Sequence, residues 1–80
     1  MNISGAQIKA GRALIGWPQS RLAETADLHV NSIKYWERSM NSLDVRQFGV
    51  KAIREALEGQ GVEFISGGVK LASPNSVQAA

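Results

Sequence analysis

Apolar positions recur at helical spacing through the first sixty residues, and then the period changes. Between Ser4 and Gly16, the positions Ile8, Gly11, Leu14 and Ile15 fall three, four and seven apart, which predicts an amphipathic helix with these residues on one side. Ser4 followed by Gln7 has the form of a capping box, the hydroxyl accepting from the backbone and the amide reaching back. Gly16 is a natural stop. Pro18 suits the start of a second helix, where its missing N–H costs nothing. That helix is expected from about Pro18 to Thr25, with Leu22, Ala23 and Ala26 turned inward. A tight turn at Ala26-Asp27-Leu28 leads to a third helix over Val30 to Arg38, where Ile33 and Trp36 share a face. Ser39-Met40-Asn41-Ser42 is a turn by composition. Asp44, with Gln47 three residues on, predicts a second capping box and a fourth helix striped by Val50, Ile53 and Leu57, ending at Gly61.

Beyond Gly61 the apolar period shortens to two. Val62 and Phe64, then Ser66-Gly67-Gly68, then Val69-Lys70-Leu71 read as a β-hairpin. An isolated hairpin is marginal in water, so it must pack on the helices or pair with another copy. The chain therefore divides into a helical bundle over 1–61, a hairpin extension over 62–71 that is a candidate dimer contact, and a small polar tail over 72–80 expected to be mobile. The fold class is mainly α: a small four- to five-helix bundle with a short C-terminal β-hairpin.

Composition narrows the chemistry. Eighty residues make one small domain, which gains from a second subunit. With no Cys and a single His, His29, neither a disulfide nor a metal site is expected. Catalysis finds no nucleophile–base pair and no phosphate-cradling loop, Ser66-Gly67-Gly68 being a hairpin turn. The reading is not an enzyme, with no cofactor. No stretch reaches the 18 or so apolar residues of a membrane span, and "MNISGAQIKA" is not a secretory signal, so a cytoplasmic protein is expected. The net charge is +2. The excess lies within residues 1–46, which is compatible with a phosphate-facing surface.

The stretch "DLHVNSIKYWERS", residues 27–39, carries the functional reading. Two short helices joined by a few residues suggest a helix-turn-helix. The first needs a small residue where the second crosses, and Ala23 supplies it. Leu22, Ala26, Leu28, Ile33 and Trp36 are apolar where the helices must hold each other, while Asn31, Lys34, Tyr35 and Arg38 occupy the side left open.

Residues 8–58 resemble the lambda repressor/Cro-like (Xre-like) helix-turn-helix family through "IKAGRALIGWPQSRLAE", "ADLHVNSIKYWERS" and "VKAIREALE". The family's first-helix Arg, its Gln opening the second helix and its apolar–Glu pair ending the third are matched by Arg12, Gln19 and Trp36-Glu37. The resemblance implies a bundle that binds operator DNA, generally as a homodimer, and a transcriptional regulator, more often a repressor. It assigns Gln19 to phosphate. Val30, Asn31, Ser32, Lys34 and Tyr35 go to the major groove, where Asn pairs with adenine, Lys donates to guanine and Val meets a thymine methyl. Arg38 and Asn41 fall near phosphates, and Arg12 and Glu37 form an internal pair.

Three positions depart from the family pattern. Asp27 stands at the usual turn Gly, and Asp tolerates positive φ. His29 stands at the usual Ser/Thr cap, which predicts a poorly capped third helix at a cost of roughly 1 kcal/mol. Pro18 replaces the cap before Gln19. Blander readings stand beside these: Trp17 and Trp36 as core, Lys34 and Arg38 as solvated charges, Tyr35 as a surface aromatic, Val30 as partly buried. A second function fits the hairpin: an antitoxin-like interaction module whose residues 62–80 grip a protein partner.

Overall fold

The structure, a computed structural model, describes residues 2–72. Within them the chain forms β1 (Asn2–Ile3), α1 (Gly5–Ile15), α2 (Gln19–Ala26), α3 (Val30–Glu37), β2 (Leu43–Asp44), α4 (Phe48–Glu58), β3 (Val62–Ile65) and β4 (Gly68–Leu71). It is a mainly helical bundle with a C-terminal hairpin, as the apolar periods predict. Of the expected tail, only Ala72 is described, and its N–H donates to the Gly61 carbonyl at 2.6 Å. Residues 73–80 lie outside the described residues.

α1 begins as expected. The Gln7 N–H donates to the Ser4 hydroxyl at 3.0 Å and the Ser4 N–H to Gln7 Oε1 at 2.8 Å. It ends at Gly16, whose φ of 68° closes the helix in the left-handed region. Leu14 departs from the expected stripe, being 42% exposed while Ile8 and Gly11 are buried. One residue turns a helix by about 100°, so Leu14 points well away from Ile15.

The fourth helix starts later than predicted, and for a local reason. Asp44 is in β2, paired with Asn2. Its backbone carbonyl accepts from the Gln47 N–H at 3.0 Å in a turn. The cap is Gln47 itself, whose Oε1 accepts from the Val50 N–H at 3.0 Å. The antiparallel pair β1–β2 has no counterpart in the sequence reading; it ties the start of the chain to the α3–α4 connection through Asn2↔Asp44 and Ile3↔Leu43.

One core serves helices and hairpin alike. Ile8, Leu22, Ile33, Ile53 and Leu57 are fully buried, and Val62 and Phe64 of β3 join the same cluster. The hairpin is therefore built into the bundle. Its inward face is Val62 and Phe64, while Glu63 and Lys70 face each other outside in an ion pair of 3.5 Å. Gln7 adds a staple: its Nε2 donates to the carbonyls of Ile65 at 2.7 Å and Gly68 at 2.8 Å, on either side of the hairpin turn. No helix among the described residues is long and apolar enough to cross a membrane.

Candidate nucleic-acid interface

The α2–turn–α3 unit is fixed by three local devices. Asp27 closes α2 with φ 58°, a left-handed conformation that Asp tolerates better than most residues. Ala23, 5% exposed, is small enough for α3 to cross close by, next to buried Leu22 and Ile33. His29 is the cap of α3: its Nδ1 accepts from the Asn31 N–H at 3.0 Å. The expectation of a poorly capped third helix is thus corrected. Neutral imidazole offers one acceptor nitrogen, and here it does the work usually given to a hydroxyl. Pro18 contributes no side-chain bond at the start of α2, so the first N–H groups of that helix are left without a cap.

The far end of α3 is held by α1. A Cβ on Gly5 would collide with the carbonyls of Trp36 and Glu37, so the two helices meet there backbone to backbone. Farther along α1, Arg12 makes a fork onto Glu37, with Nε to Oε2 at 2.6 Å and Nη2 to Oε1 at 2.9 Å. Its Nη1 donates to the Trp17 carbonyl at 2.8 Å. Gln19 Nε2 also donates to Glu37 Oε1, at 3.0 Å. The Arg12 and Glu37 side chains are 13% and 4% exposed. The knot therefore sits under the surface and joins α1, the α1–α2 turn, α2 and α3. Trp36 lies over Gly49, where a Cβ would strike its ring; Trp36 and Trp17 are both half-buried and pack against the core, as expected.

With Ile33 and Glu37 turned inward, α3 presents Asn31, Lys34, Tyr35 and Arg38 outward, all exposed. Tyr35 is 65% exposed and stands edge-on to Trp36, with ring centroids 6.3 Å apart. Val30 and Ser32 are half-buried, Val30 packing against the core. Gln19 is half-buried too, with one amide hydrogen engaged by Glu37. Asn41 is exposed in the bend after α3, where its N–H donates to the Ser39 hydroxyl at 3.2 Å.

Two shallow clefts flank the outward face. One, of about 280 Å³, is lined by Lys9, Gln19, Lys34, Glu37 and Arg38. The other, of about 400 Å³, is lined by Tyr35, Arg38, Ser39, Met40 and Asn41. Lys9, Ser39 and Met40 are not among the site residues expected from the sequence. Lys9 had a signal, since it lies three residues before Arg12 on the same side of α1 and Arg12 reaches α3. Met40, 97% exposed, had none beyond its place in a turn. Arg21 of α2 lies over the Trp17 ring, 5.1 Å from its centroid. Comparison with protein-family models gives no match, and comparison with curated proteins gives none either.

Proposed function

We propose that this protein is a sequence-specific double-stranded DNA-binding regulator, a repressor in the lambda-repressor-like manner, that lays α3 in the major groove. The observation that carries the reading is the two-sided construction of α3. One side is tied down by a buried carboxylate with three donors. The other offers Asn31 and Tyr35 to the solvent, flanked by Lys9, Lys34 and Arg38. A rigidly aimed polar helix bordered by cations is what groove reading needs: phosphate contacts set register and base-edge contacts set sequence. Asn31, exposed in the first turn of α3, is our candidate for the adenine reader. The protein is proposed to act in the cytoplasm as a homodimer on an operator whose half-sites lie one helical turn, about 34 Å, apart.

Selection from random duplexes, followed by sequencing of the bound pool, tests this. A palindromic consensus is expected. Asn31→Ala is expected to cost about 1–3 kcal/mol at the selected site and to relax preference at one base pair. An unenriched pool, or an Asn31→Ala variant with an unaltered consensus, defeats the reading. Gln19 variants answer this question less cleanly, because Gln19 also belongs to the knot around Glu37.

The interaction-module reading rests on Ile65 and Leu71, 42% and 50% exposed on the hairpin. Because Val62 and Phe64 belong to the core, its proper test is an Ile65→Ser, Leu71→Ser double change rather than deletion of the hairpin. Loss of a protein partner with DNA binding intact favours it.

A further inference from the structure

We infer that the cleft between α1, α2 and α3 receives the phosphodiester backbone of DNA, where Lys9 and Lys34 each pair with a phosphate, Lys34 doing so rather than contacting a base edge. The inference rests on the DNA-binding reading above and assigns roles within it. The cleft is lined by three cations, Lys9 on α1, Lys34 on α3 and Arg38 at the C-cap of α3. Among the described residues, none of the three is in an ion pair. The one anion in the lining, Glu37, is already engaged: both its oxygens accept from Arg12, and Oε1 accepts from Gln19 as well. Arg12 offsets the carboxylate from behind, so the cleft faces outward with a positive field. Gln19 has a second amide hydrogen, and the uncapped start of α2 lies at the same place.

The register of α3 separates two roles. Lys34 and Arg38 are four apart, and so are Asn31 and Tyr35, so each pair makes a row along the helix. The Lys34/Arg38 row borders the cleft, while Asn31 lies outside its lining. In a groove-bound helix the flanking row meets the phosphate wall and the next row meets base edges. Lysine is a point charge on a flexible stem, able to meet a phosphate or a guanine edge, so its place beside the cleft decides between them. Lys9, on a helix that carries none of the sequence-level contacts, becomes the third member of the seat.

The test is a salt series of duplex binding by the full chain, with Lys9→Gln, Lys34→Gln and, as a charge-matched control, Lys51→Gln on α4. All three lysines are exposed, so thermal melts should coincide with that of the wild type. Loss of one phosphate contact is expected to reduce the slope of log affinity against log salt by about 0.9 in the Lys9 and Lys34 variants, roughly eightfold weaker binding at about 0.1 M salt, with base preference unchanged. Lys51→Gln should leave the slope alone. The seat is overturned if Lys34→Gln relaxes preference at one base pair at constant slope, if Lys9→Gln leaves the slope unchanged, or if Lys51→Gln lowers it equally. A wild type that binds no duplex instead sinks the DNA reading and the seat with it.

Discussion

Two arginine–carboxylate pairs in this molecule share a chemistry and differ in almost everything else. Arg12 and Glu37 come from positions 25 apart, are almost wholly buried, and have Gln19 as a third party. Arg46 and Asp44 are two residues apart and lie in water, their side chains 87% and 44% exposed. The exposed pair still changes the acidity of Asp44. The Arg46 side chain first, and its backbone N–H second, bring that carboxyl from 3.8 down to about 2. A large local effect on acidity is compatible with a minor role in the fold, because solvent screens the pair and holding two side chains in place costs entropy. The buried pair has no such substitute solvent, and whichever partner is removed leaves the other stranded.

That contrast can be broken in order of size. Arg12→Ala is expected to cost about 3–5 kcal/mol in urea denaturation, because Glu37 stays buried without its fork. Replacing both, as Arg12→Met with Glu37→Leu, should recover much of the stability, which would identify the stranded charge as the main penalty. If the single and double changes cost the same, packing rather than charge explains the site. Gly5→Ala comes next, at about 1–3 kcal/mol, because its methyl would meet backbone oxygens of α3 that cannot yield. Gly49→Ala should cost less, since the obstacle there is the half-buried ring of Trp36, which can turn. The opposite order in thermal melts would show that α1 and α3 can separate at that end. Gln7→Ala should lose about 1–2 kcal/mol, with amide exchange accelerating first in the hairpin. Smallest is Asp44→Ala, for which the melting temperature at neutral pH is expected to fall less than in any variant above, because solvent screens the pair. The paired carboxyl is more acidic than in the unfolded chain, so the contribution of this pair is whole above its unfolded value of 3.8 and lost as pH falls toward about 2. Asp44→Ala should remove that small contribution at pH 7 and flatten the acid limb, so that wild type and variant converge near pH 2; a fall at pH 7 as large as that of Gln7→Ala would contradict the comparison.

What the sequence made legible was local chemistry. The Ser4–Gln7 box, the Gly16 stop and the left-handed Asp27 all depend on residues within a few positions, and all are present. The Val50, Ile53 and Leu57 stripe is buried as its spacing implies. The Arg12–Glu37 pair is non-local and was visible only through the family resemblance; in the structure the two side chains share two hydrogen bonds. The misses have equally particular causes. A strand of two residues carries no period, so Asn2–Ile3 meeting Leu43–Asp44 left no trace. Asp44 resembled a cap because Gln47 followed it, yet the turn between them had first to reverse the chain. His29 was discounted because capping by imidazole is uncommon, although its Nδ1 has the needed lone pair. Lys9 went unassigned although the Arg12–Glu37 pairing already brought α1 to α3, because the sequence does not show that Lys9 and Lys34 open on one cleft.

The staple from Gln7 to the hairpin turn has a consequence for synthesis of the chain. Its two hydrogen bonds span 58 and 61 residues, and Val62 and Phe64 complete a core begun by Ile3 and Ile8. A ribosome making this protein must deliver the chain as far as the hairpin before the first helix meets its last partners. Such long-range closure slows folding, and a nascent chain halted before the hairpin would wait with its interior open to the cell.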